Sequence, residues 1–129
     1  MTANDRQILA QRQLTDAVDP NSTVVLTLFL PIVDSRSSDW ITTFSIEWPK
    51  EQVDTYETMG IDALQSLSLA IERARVVLVE SGLELLWHGE VGTGIYKTVV
   101  HPFGAGFDKQ LQASIDESVA AYADSLKPR

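Results

Sequence analysis

Residues 40–48 read WITTFSIEW, and their alternation decides the fold class. Successive side chains of an extended chain point to opposite sides. Trp40, Thr42, Phe44, Ile46 and Trp48 therefore share one face of a strand, and Ile41, Thr43, Ser45 and Glu47 share the other. A strand with so apolar and aromatic an inner face needs a covering layer. Pro49-Lys50 turns the chain, and Gln52 to Thr58 is expected to return as a shorter strand.

Upstream, residues 23–34 read TVVLTLFLPIVD, with both alternating sets apolar. That pattern predicts a central strand covered on both sides. Pro31 weakens its far end, because proline donates nothing to a ladder. Before it, Gln7 to Ala17 reads as a strand with Ile8, Ala10 and Leu14 in one alternation, and Asp19-Pro20-Asn21-Ser22 as a turn. DSRSSD, residues 34–39, is a loop.

Downstream, Gly60 opens the strongest helix. Ile61, Leu64, Leu67, Ile71, Ala74 or Arg75, and Leu78 recur at three-to-four spacing, widened by Ala63, Ala70 and Val77. Asp62 sits where the helix dipole favours an anion, and Gly82 is placed to end the helix as its C′ residue. Leu83 to His88 reads as a strand, Gly89, Gly92 and Gly94 as a loop, and Ile95 to Val100 as a further short strand. A final helix is expected from Phe107 to Leu126, with Phe107, Leu111, Ile115, Val119, Tyr122 and Leu126 forming a narrow apolar stripe. Strands followed by helices predict an α+β fold. The expectation is one α+β domain over residues 1–129: an antiparallel sheet of four to six strands covered by the Gly60–Ser81 helix, with a C-terminal amphipathic helix. That helix is expected either on its own sheet or against a second subunit as a homodimer.

The 129 residues carry 10 Lys and Arg against 18 Asp and Glu, a net charge of −8. The charge is uneven. Residues 39–62 hold Lys50 against Asp39, Glu47, Glu51, Asp54, Glu57 and Asp62, a net of −5. The deficit of cations disfavours nucleic acid and anionic membrane surfaces. It leaves room for a protein partner of basic character, with Glu47, Glu51, Asp54 and Glu57 as the candidate partner-binding residues.

The chain has no cysteine, which removes thiolate chemistry and Cys-based metal sites. MTANDRQILAQRQ at the N-terminus lacks an apolar core of signal-peptide length, and no apolar run approaches a membrane span, so the cytoplasm is the expected compartment. His88 and His101 are the sole histidines, and no Ser sits in a G-x-S-x-G elbow. His88 and Glu90 would share a face of a continuing strand, without an evident third ligand for a metal. GEVGTGIY, residues 89–96, lacks the GK[ST] end of a phosphate loop. Asn21-Ser22-Thr23 matches a glycosylation sequon without a secretion signal. No catalytic residue, metal ligand or cofactor is therefore expected. Trp40, Phe44, Trp48 and Trp87 serve either as core or as the lining of an aromatic pocket between sheet and helix.

Residues 56–94, YETMGIDALQSLSLAIERARVVLVESGLELLWHGEVGTG, resemble a family of uncharacterised bacterial domains, a domain of unknown function. The resemblance rests on the helix opening Gly60-Ile61-Asp62-Ala63-Leu64-Gln65-Ser66-Leu67, on Trp87 followed by Gly89-Glu90, and on a Phe-led terminal helix. It implies no activity. A weaker similarity is to antitoxin domains of the partial ribonuclease-H type, from which this chain departs in its long first strand and in the elements after the helix.

The leading expectation is a non-enzymatic protein-binding module, of which an antitoxin or immunity protein against a basic partner would be one form. The alternative is a small-ligand binder using the aromatic pocket.

Overall fold

The computed structural model describes residues 6–99 and 102–128. The chain forms two compact units, Met1–Thr98 and Val99–Arg129.

In the first unit, β1 (Ile8–Asp16), β2 (Thr23–Phe29), β3 (Ile32–Val33), β4 (Trp40–Glu47) and β5 (Val53–Gly60) run before helix α1 (Ala63–Val79), with β6 (Leu85–Trp87) and β7 (Glu90–Val91) after it. Every pairing is antiparallel. β5 pairs with the whole of β4, so β2 and β3 share the other edge of β4, at residues 44–47 and 40–41. Pro31 interrupts this one long strand without breaking its course, and the spatial order is β5–β4–β2/β3–β1–β6–β7. The sheet thus has seven strands where four to six were expected. The additions are the two-residue pieces β3 and β7.

The hairpins and loops follow their local chemistry. Asp19 holds its turn by accepting from the Ser22 hydroxyl and the Asn21 N–H. Asp34 does the same with Ser37 and Arg36, and these bonds hold its carboxyl below the usual carboxylate range. β5 extends to Gly60, longer than its sequence suggests.

Chain direction decides what α1 covers. The strands β1 to β5 progress across the sheet as hairpins, and α1 carries the chain back over one face so that β6 can pair with β1. The helix lies on β4 and β5. Leu14, Val24, Leu26, Phe44, Ile46, Ala70, Ala74, Leu78 and Leu85 form the buried core between the layers.

The helix buries only part of the face its periodicity suggests, and adds Ser66 to it. Ser66, Ala70, Ala74 and Leu78 are its buried residues, while Ile61 and Leu64 are 81% and 73% exposed. Small residues at four-residue spacing let the helix sit close to the sheet. Ser66 then meets the sheet directly: its Oγ lies 2.8 Å from Thr42 Oγ1, and its carbonyl accepts from Thr58 Oγ1 at 2.8 Å. Asp62 is the N-cap itself and accepts from Gln65 N at 2.8 Å; the Gln65 side chain returns to Ile61 N at 2.7 Å. At the other end the cap falls at Glu80, so Gly82, left-handed with φ of 84°, is the C″ residue and not the expected C′.

Arg73 guards the sheet's outer strand. Its guanidinium lies 5.0 Å over the Tyr56 ring and donates to the Glu57 carbonyl on edge strand β5 at 3.3 Å.

In the second unit, α2 spans Gly104–Ser125, starting three residues earlier than expected, with Phe103 and Phe107 in edge-to-face contact near its start. No helix among the described residues is long and apolar enough to cross a membrane.

Candidate functional site

Because α1 covers β4 and β5, the β1–β2 half of the same sheet face needs another cover. On β1, Ala10, Arg12 and Leu14 point to the helix side, paired across the ladder with Leu28, Leu26 and Val24 of β2. The segment from Gly92 to Thr98 lies over this half. Here a strand over Ile95–Val100 was expected; the described part, to Val99, forms none. Gly92 and Gly94 take left-handed conformations, with φ of 112° and 72°, that turn the segment off any ladder. Gly94 also packs so tightly that a Cβ there would fall 2.1 Å from the Trp87 ring. Ile95 instead packs against the core.

Charged side chains pin this strap near both ends. Arg12 Nη1 donates to the Thr93 carbonyl at 3.2 Å. Glu72 Oε2 on α1 accepts from the Thr98 N–H at 3.0 Å. Glu72 is itself held by Arg75 in a two-point contact, at 2.7 and 3.0 Å. The Arg75 guanidinium and then the Thr98 N–H draw the Glu72 carboxyl from its ordinary 4.5 down to about 2. The contribution of this clamp is therefore complete above pH 4.5 and is lost as pH falls toward 2. Glu72→Gln is expected to lower the melting temperature at neutral pH, with the gap to the parent narrowing as pH drops through that window. A gap that stays constant with pH would show that the charge does not hold the strap.

Between strap and helix a groove remains open. Its floor is Ala10, Arg12, Leu26 and Leu28, one wall is Ile71 of α1, and the other wall and rim are Gly94, Ile95 and Tyr96, enclosing about 420 Å³. Ligand sites commonly enclose roughly 300–1,000 Å³ of mostly apolar space with a few placed polar groups. Arg12 is the charged lining group. It is half-buried, its guanidinium carbon lies 3.9 Å from the centre of the Trp87 ring, and no carboxylate among the described residues pairs with it.

The residues singled out by sequence fall elsewhere. The four carboxylates do not share a face. Glu47 and Glu57 point to the side of the sheet away from α1, and Asp54 points to the helix side, where it accepts from Trp48 Nε1 at 2.9 Å. Glu51 sits in the connecting turn with φ of 63°. Glu57 is engaged by Arg6 at 3.5 Å. Beside them, Arg6 Nε and Thr43 Oγ1 are buried without a partner.

The aromatic residues do not converge on one cavity either. Phe44 is fully buried and stacks on Tyr56 at 4.9 Å, Trp48 bonds Asp54, and Trp87 backs Arg12. His88 does not continue a strand toward Glu90. With Gly89 it forms a two-residue hairpin turn, both at positive φ, joining β6 to β7. His101 lies outside the described residues. Ser22 of the sequon is tied to the Asp19 turn. No group of three or more metal-ligating side chains is gathered among the described residues.

Arg12, Ile71 and Ile95 are the groove residues that sequence reasoning missed. One signal was present. In the alternation of Ala10, Arg12 and Leu14, an arginine occupies a position that the pattern assigns to the covered face.

A family model described as a domain of unknown function, DUF6968, matches residues 10–96. No curated protein and no solved structure matches the chain. The matched span begins at Ala10 and ends at Tyr96, so it contains every residue that lines the groove.

Proposed function

The chain belongs to this DUF6968 family of unknown function, and from the groove inside the matched span we propose that it is a non-enzymatic binding protein for a small, largely apolar ligand. The observation that carries the reading is the groove itself: a cleft of ligand size with aliphatic floor and walls and one cation. Apart from the exposed Tyr96 phenol at the rim, nothing lining it is a nucleophile or a titrating base, which supports binding over chemistry.

A partner of basic character draws less support. The expected partner-binding residues Glu47, Glu51, Asp54 and Glu57 divide between a turn and two sides of the sheet, with Glu47 and Glu57 on one side, which lends this reading less weight than the groove.

Ala10 gives a clean test, because it lines the groove yet is exposed. Ala10→Phe fills the floor without entering the core. A neutral apolar dye such as Nile red is expected to bind the unaltered protein with one-to-one stoichiometry and to bind this variant at least about tenfold more weakly, about 1.4 kcal/mol of lost contact. Equal dye affinity in the two proteins, with both folded, would overturn the groove as the site.

A further inference from the structure

Arg12 is the uncommon feature of the groove. The protein carries 18 acidic residues against 10 Lys and Arg. Among the described residues Arg6 and Arg75 have carboxylate partners, while Arg12, Arg36 and Arg73 have none, and of these three only Arg12 lines the groove. Among the described residues its hydrogen-bond acceptor is the neutral Thr93 carbonyl, which takes one Nη1 proton of the five that a guanidinium offers. Trp87 supports the guanidinium from behind at 3.9 Å and so fixes the donor fork in place before any ligand arrives. The remaining lining is aliphatic or glycine apart from Gln11 and Tyr96. A half-buried cation beside apolar walls interacts with an anion more strongly than a cation in bulk water does.

We infer that the ligand of this groove is an amphipathic carboxylate, with its anionic end on Arg12 and its apolar body against Leu26, Leu28, Ile71 and Ile95. The inference rests on the groove reading above and adds the charge of the ligand. The cavity of about 420 Å³ lies in the range of small-ligand sites, roughly 300–1,000 Å³, and suits a medium-length chain.

The test is calorimetric titration of the full chain with decanoate and with decanol, which share an apolar body and differ in charge. Decanoate is expected to bind about tenfold to a hundredfold more tightly, the worth of hydrogen bonds to a charged group. The advantage should shrink with added salt, and should vanish in Arg12→Met, which keeps an apolar contact on Trp87. Because the comparison of the two ligands and its salt dependence are read on the unaltered protein, they decide the matter even if that variant fails to fold. Equal affinity for both ligands overturns the carboxylate and leaves the groove reading standing. Binding of neither overturns both. A decanoate advantage that survives in a folded Arg12→Met assigns the charge recognition to another residue and overturns the role given to Arg12.

Discussion

Gly60→Ala is expected to be among the most damaging single substitutions in this protein. Gly60 is buried at the end of β5, paired with Trp40, where the chain leaves the sheet for α1. A methyl group there would lie 2.4 Å from Ser66 N, 2.9 Å from Ser66 Cα and 3.0 Å from the Gln65 carbonyl carbon. All three are backbone atoms of the first helical turn, so no side-chain rotation relieves the overlap. Moving that turn would disturb the Asp62 cap on Gln65 N and the Ser66 contacts to Thr42 and Thr58 together. Overpacking of this kind costs about 1–3 kcal/mol where the structure can yield, and the loss of buried hydrogen bonds adds about 1–3 kcal/mol for each group left unsatisfied. Chemical denaturation should show a loss of about 3 kcal/mol or more. A variant within about 1 kcal/mol of the parent would mean that the helix start has slack that the close packing does not suggest.

Phe44→Ala should be of similar size for the opposite reason. Phe44 is the largest fully buried side chain, sitting at the centre of the inner face of β4. Its ring stacks on Tyr56 with centroids 4.9 Å apart and an interplanar angle of 16°, and Arg73 covers the Tyr56 ring. Truncation leaves a void bounded by a sheet and a closely seated helix, neither of which can easily collapse into it, and such Phe→Ala changes cost about 3–5 kcal/mol. Phe44→Leu keeps most of the volume and should cost about 1.5 kcal/mol or less. Equilibrium unfolding of the pair separates cavity cost from loss of the aromatic stack. Similar losses for Leu and Ala would show that the stack, not the volume, is what β4 depends on.

Both positions were visible in the sequence to different degrees. Phe44 stood in an alternation regular enough to place it on the inner face of its strand, though not to choose between core and pocket lining. Gly60 was visible as a helix boundary, but the need for glycine comes from how near Ser66 lies, which depends on the seating of the helix. The motif from Gly60 to Ser66 is a set of contacts. Gly60 permits the approach, Asp62 caps, Gln65 closes the cap from the other side, and Ser66 faces the sheet.

Other readings failed for a common reason. Hydrophobic periodicity assigned Ile61 and Leu64 to the covered face of α1 together with Ala70, Ala74 and Leu78; those last three are buried, but Ile61 and Leu64 stay open and Ser66 takes a place against the sheet. Periodicity weighs hydrophobicity, whereas a helix held close to a sheet is limited by side-chain volume. The expected strand at Ile95 gave way to a strap because Gly94 had to pass the Trp87 ring.

Strand alternation, turn residues and helix caps act over a few positions, and these local signals were enough to settle an α+β chain, its four long antiparallel strands and helices, and the acidic excess on the β4–β5 hairpin. The candidate site was different. Arg12, Ile71 and Ile95 come together only because α1 returns across β4 and β5 and leaves the β1–β2 half of that face to the strap. No short-range pattern records which half of a sheet a crossing helix will cover, since that is set by how closely its small residues let it pack.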